Sequence, residues 1–191
     1  MVDQVDNIPL SQAVQGDKKA FGLLYERYVE RIYNYIYYRT GNQFDAEDLT
    51  ARVFFRALRH IENYEDRGVP FSAWLYCIAH NLVANWHRDN NRWQMIPLEE
   101  IISTQWHSEH PELEVMEIEE QEKLLRAVQR LSEDRQQLLI LKFTAYLTNA
   151  EIGYVMGRTE GAIKSLYHRT LIALREDLKK ESRKEKKKHH R

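Results

Sequence analysis

The chain reads as all-α, in two small helical domains joined by a flexible linker, and three observations predict it. Apolar residues recur at three- and four-residue spacing through most of the sequence, the signature of helices buried along one stripe. Breakers are scarce, with seven Gly and four Pro in 191 residues. Between two such periodic stretches the pattern lapses over residues 93–116, where Pro97 and Pro111 stand in a surplus of Glu. The predicted division is a first domain over 1–92, an acidic linker over 93–116, a second domain over 117–178, and a basic tail over 179–191.

In the first domain, residues 1–16 carry a short apolar patch (Ile8, Leu10, Ala13, Val14) fit for one or two helical turns. Asp17 caps a long helix to about Arg39, in which Phe21, Leu24, Tyr25, Tyr28, Ile32, Tyr35 and Ile36 recur at three and four residues. Gly41-Asn42 ends it. Asp45 starts a second helix to Leu58, its acids in the first turn where the helix dipole favours them. Leu49, Val53, Phe54, Ala57 and Leu58 supply its apolar stripe. After a loop containing Asp66-Arg67-Gly68, Pro70 opens a third helix to about Arg88. Trp74, Leu75, Ile78, Leu82 and Val83 read as its core. Asn81, Asn85, Trp86, Arg88 and Arg92 form another set: amides, an indole and guanidiniums, groups that stack on bases and grip phosphates, or else a polar helix end with one amphipathic tryptophan.

The second domain opens with a helix from Glu117 to Leu131, followed by one from Ser132, a capping residue, to about Tyr146. Thr148 and Glu151 then have capping-box spacing ahead of Ile152, Val155 and Met156. Gly157 suits a left-handed helix end, and Thr159 caps a longer helix. In that helix Ile163, Leu166, Tyr167, Thr170, Leu171, Leu174 and Leu178 share one side, while Lys164, Ser165, His168 and Arg169 line the other. This is a helix-turn-helix offering a row of donors to a major groove, or an αα-hairpin with a solvated face.

Composition narrows the classes. With 43% hydrophobic and 30% charged residues the chain reads as soluble, and no apolar run approaches the roughly 20 residues that span a bilayer. The single cysteine, Cys77, excludes an internal disulfide and fits a reducing cytoplasm. The net charge of −1 conceals opposed blocks: eight Glu and no Lys or Arg from Gln94 to Glu120, but eight Lys or Arg against two Glu from Lys179 to Arg191. No Gly-rich nucleotide loop is present. His80 and His87 share a helix face without a carboxylate at ligand spacing, so no metal, cofactor or catalytic centre is expected.

Taken in order, Gly-Asp-Lys-Lys-Ala-Phe (16–21), Asp-Ala-Glu-Asp-Leu-Thr (45–50) with Val53-Phe54 and Arg56-Ala57-Leu58, Phe71-Ser-Ala-Trp-Leu-Tyr with Ile78-Ala79 and Asn81, and the helix-turn-helix of Glu151–Arg169 resemble a bacterial RNA polymerase sigma factor of the extracytoplasmic-function (ECF) type, in the sigma-70 family. The resemblance implies a region 2 that binds the β′ clamp helices of core RNA polymerase and recognises and melts the −10 element. It implies a region 4 that binds the β flap and reads the −35 element. Carried over by position, the polymerase contacts fall on Asp45, Asp48, Thr50, Val53 and Phe54; Ala51 and Arg52 stand where the family has Gln and then an acid. The −10 surface falls on Tyr64, Arg67, Ser72, Asn81, Asn85, Trp86 and Arg88. The −35 surface falls on Arg158, Thr159, Lys164, Ser165, His168 and Arg169. Promoter DNA, core polymerase and an anti-sigma factor are the partners the resemblance implies. A helix-turn-helix regulator acting without polymerase is the other reading.

Overall fold

In the computed structural model, which describes residues 6–65, 68–90 and 123–188, every element is a helix. The first unit comprises α1 (Asn7–Val14), α2 (Lys18–Thr40), α3 (Gln43–His60), a single 3₁₀ turn (Ile61–Asn63) and α4 (Phe71–Asn90). The second comprises α5 (123–129), α6 (Glu133–Phe143), α7 (Asn149–Met156) and α8 (Glu160–Lys188).

Local chemistry sets the ends. Asp17 accepts from the Lys19 and Ala20 amides, 2.8 and 3.3 Å, to open α2, and Gly41 closes it with φ 66°. α3 begins two residues earlier than its acids indicate, because Asn42 caps it by accepting from the Asp45 amide at 3.1 Å. Ser132 stands at the N-cap of α6 without a side-chain capping bond. That helix also stops at Phe143, short of Tyr146, whose φ of 56° turns the chain toward α7. The tail does not begin a new segment: α8 runs unbroken from the helix-turn-helix to Lys188.

The first unit is built round α2, whose Leu24, Tyr28, Ile32, Tyr35 and Ile36 are fully buried against α3 and α4. Asp6 is buried at the foot of α1, where Tyr28 Oη and Arg27 both donate to its carboxylate. In the second unit Gln136 is buried and its Nε2 donates to the Val128 and Gln129 carbonyls at 2.9 and 3.0 Å, tying α6 to the end of α5. Arg130 reaches Asp177 and Glu181, fastening α5 to α8 from outside.

The two units also meet. α7 packs on α4 and α6 on α2, so that Leu138, Leu141, Ile152 and Val155 join the same continuous core as Ile32, Tyr76 and Leu82. A polar layer crosses this contact: Gln137 Nε2 and His80 Nδ1 are 2.7 Å apart, and Glu133 Oε1 lies 3.4 Å from Nη2 of the buried Arg39. The linker expected over 93–116 lies outside the described residues.

Candidate nucleic-acid interface

The helix-turn-helix is closed by bonds the sequence announces. Thr148 Oγ1 accepts from the Glu151 amide and the Glu151 carboxylate accepts from the Thr148 amide, at 3.3 and 2.7 Å. Gly157 ends α7 at φ 64°, and Thr159 Oγ1 accepts from the Ala162 amide at 3.2 Å to start α8. A residue without an obvious signal completes the turn. Gly153 lies inside α7, and a Cβ there would stand 2.6 Å from the Arg158 carbonyl oxygen. The turn of Arg158 and Thr159 folds back on α7 so closely that only glycine fits.

On α8 the apolar side is set by buried Ile163, Leu166, Thr170 and Leu174, whereas Leu171 is 42% exposed. All six predicted −35 residues are exposed: Arg158 and Thr159 in the turn, Lys164, Ser165, His168 and Arg169 along the first turns of the helix. Two of the cations are already engaged. Lys164 Nζ lies 2.7 Å from Glu160, one turn back, and Arg158 pairs with Asp134 of α6. Arg169 Nε donates to the Ser165 carbonyl at 3.3 Å. Exposed pairs of this kind are worth little, so these side chains exchange partners readily.

On α4 the structure regroups the predicted −10 set. Asn81, Asn85 and Arg88 are exposed at spacings of four and three residues, on one side of the helix. Trp86 does not join them. It sits about 140° round the helix from Asn81, half-buried against the core with its ring edge-on to His87. The aromatic beside the amide row is instead Trp74, two turns before Asn81. Trp74, which the sequence placed in the core, is half-buried and packs against the core as Trp86 does, its ring 5.3 Å from Tyr64 and 5.5 Å from Phe71. Tyr64 is half-buried beside Trp74, whereas Ser72, nine residues before Asn81 and about 180° round the helix from it, is half-buried on the other side; Arg67 and Arg92 lie outside the described residues.

The predicted polymerase contacts divide. Asp45 and Asp48 lie on the accessible side of α3. Thr50, Val53 and Phe54 do not: Val53 is fully buried, Phe54 packs edge-on to Tyr25, and the Thr50 hydroxyl donates to the Ala46 carbonyl at 2.6 Å. The i, i+3, i+4 spacing of these three with Leu49 and Ala57 is the core stripe of α3 itself, so they cannot present a docking face. The accessible face carries Phe44, Glu47, Asp48, Ala51, Arg52, Phe55, Arg56 and Arg59.

Among the described residues no three His, Cys, Asp or Glu side chains are placed to hold a metal ion, and no helix is long and apolar enough to cross a membrane. Burial pushes the His80 pKa below its ordinary value, and the neighbouring Arg39 pushes it the same way. Burial raises the Cys77 thiol pKa, the opposite of an activated nucleophile.

Residues 24–93 match the family described as Sigma-70 region 2, and residues 121–174 that described as Sigma-70, region 4. The chain is similar to the ECF RNA polymerase sigma factor BldN of Streptomyces coelicolor, with 40% identity over 166 residues; the match covers 86% of this chain and 62% of that one. The chain thus spans under two thirds of that relative's length. It is also similar to the ECF RNA polymerase sigma factor ShbA of Streptomyces griseus, 30% identical over 133 residues, covering 68% of this chain and 70% of the relative. Its fold is shared with the sigma factor RpoE of Bartonella quintana, solved in complex with the anti-sigma factor NepR, at a TM-score of 0.60 and 20% identity, covering 84% of this chain and 98% of that one.

Proposed function

The chain belongs to the ECF sigma factors of the sigma-70 family, and from that membership we propose that it binds core RNA polymerase and directs promoter-specific initiation. The observation that carries the reading is two exposed DNA-type surfaces on one chain, the donor row of α8 and the amide row of α4 with Trp74 beside it. The first suits duplex: Lys164, His168 and Arg169 present donors to base edges, with Arg158 and Thr159 near the backbone. The second suits unpaired bases, which need amide edges and an aromatic face once they leave the stack. Asn81 and Asn85 supply the edges and Arg88 a phosphate contact, with Tyr64 beside Trp74.

In this reading the acidic first half of α3, with Asp45 and Asp48 accessible, faces the β′ clamp helices, and the second unit meets the β flap. The chain performs no bond chemistry of its own, works in the cytoplasm beside polymerase and DNA, and is held in check by an anti-sigma factor. The pairing named for RpoE and NepR supports that last point. The region 2 match favours this reading over a regulator that works without polymerase.

The test is run-off transcription with purified bacterial core polymerase on a pool of genomic fragments. Discrete promoter-dependent transcripts are expected only when the chain is added. Tight, specific duplex binding by the chain alone, with no transcripts in the presence of core, would overturn the reading.

A further inference from the structure

α3 and α4 lie side by side and leave a groove of about 610 Å³ between them. We propose that Arg56 and Arg59 of α3, with Arg52 at the groove's far end, hold the phosphates of the unpaired promoter strand whose bases meet Trp74 and Asn81 on α4. The proposal rests on α4 being the −10 surface, and adds a second wall to it on a helix otherwise assigned to polymerase.

The sequence divides α3 by charge. Its first turns hold Asp45, Glu47 and Asp48; its last carry Arg52, Arg56, Arg59 and His60 without an acid among them. At spacings of four and three residues the arginines fall on one face, and that face lines the groove. They cover about 10 Å of helix axis, the length of roughly three stacked nucleotides at 3.4 Å each. Arg52 stands 3.5 Å from Asp48 in an exposed pair. Arg56 and Arg59 have no carboxylate partner among the described residues, and the Arg59 guanidinium lies over the Phe55 ring, 5.7 Å from its centroid. The cations are therefore concentrated and accessible, and Arg56 and Arg59 are uncompensated.

The opposite wall supplies what the arginines lack. Trp74, Ile78 and Asn81 line it from α4. Trp74 is fixed by Tyr64 and Phe71, so its position is set before any ligand arrives. Asn81 is exposed, its Nδ2 making only a 3.8 Å contact to Cys77 Sγ. A cationic wall facing an aromatic and an amide is the combination that holds single-stranded nucleic acid: charge tracks the backbone, ring and amide meet the bases. An apolar peptide would leave the Arg56 and Arg59 guanidiniums covered without a carboxylate partner.

The test compares holoenzyme carrying the wild-type chain, Arg56→Ala/Arg59→Ala, or Arg56→Lys/Arg59→Lys. Binding is measured to a promoter fork with the −10 strand unpaired and to a duplex −35 fragment, across a salt series; affinity for core polymerase is measured separately. For the alanine variant, fork affinity should fall about tenfold near 0.15 M salt, and the log–log salt slope should flatten by about 0.7 per arginine. Its core affinity and −35 duplex binding should stay at the wild-type level, and the lysine variant should recover the slope. Unchanged fork binding overturns the proposal. So does lost core affinity, which would put these arginines on the polymerase, and so does a lysine variant as weak as the alanine one. If wild-type holoenzyme does not prefer the promoter fork to a scrambled one, the sigma reading itself fails and takes the proposal with it.

Discussion

Gln137 Nε2 lies 2.7 Å from His80 Nδ1, and this part-buried contact joins the second helical unit to the first. Around it stand Arg39, paired with Glu133, and Asp134, which is bonded to Arg158. His80 is neutral there because burial, and then Arg39, oppose its charging, with Asp134 acting weakly the other way. Its folded pKa is below the unfolded value near 6.5, so the open or unfolded chain binds the proton more tightly. The contribution of His80 to the contact is complete above about pH 6.5 and declines as the pH falls below it. Small-angle scattering from pH 7.5 down to 5.5 should show the units parting. His80→Asn, which keeps a polar group without titrating, should flatten the response.

Gly153→Ala should destabilise the helix-turn-helix by about 1–3 kcal/mol, the usual range for overpacking, because the new methyl meets the Arg158 carbonyl oxygen at 2.6 Å. Chemical denaturation measures it. The same substitution at Gly161, where nothing lies within 4 Å of the added Cβ, should cost nothing or stabilise.

The two DNA surfaces should fail differently. Lys164→Ala and Arg169→Ala should weaken closed promoter complexes by about 1–3 kcal/mol each, a factor of roughly 5 to 150. Asn81→Ala and Trp74→Ala should form closed complexes and fail in opening, seen as weak permanganate reactivity at melted thymines. A pre-melted −10 element should partly rescue Trp74→Ala and leave Arg169→Ala defective. Trp86→Ala should disturb stability more than opening, since its ring packs on the core. Identical behaviour of all these variants would refute the separation of roles.

On α3, Phe54→Ala should cost about 3–5 kcal/mol of folding stability, because the side chain is 5% exposed in the core. Asp48→Ala should leave stability alone and lower core polymerase affinity. A pull-down with core enzyme, read beside thermal melts, separates the two.

What the sequence disclosed follows the range of the interactions. Caps and turns involve residues within four positions, so Asp17, the Thr148–Glu151 box, Gly157 and Thr159 were readable and stand where they were read. Long-range choices were not. Val53 and Phe54 fit the apolar stripe of α3 as well as a family contact position, and only packing against α2 shows that the stripe takes them. Trp86 fitted the amide set by residue type, and only its packing shows that its ring lies against the core. The need for glycine at 153 arises from a carbonyl five residues away brought back by the turn. Nor does periodicity reveal that Leu138 and Ile152 share a core with Ile32, since it identifies an apolar side and not its partner.

The unbroken course of α8 has a mechanical consequence. A helix without a kink transmits rotation along its length, and Glu160–Lys188 is one rod of about 43 Å. Its far end stands roughly 28 Å beyond Arg169 along the axis, too far to enter the groove that the first turns would read. The compass direction of that end is fixed by helical phase. One residue inserted after Leu178 would swing everything beyond it by about 100° and advance it about 1.5 Å, while Lys164 and Arg169 stayed where they are. Such an insertion turns the rod's end like a key, without touching the part that reads.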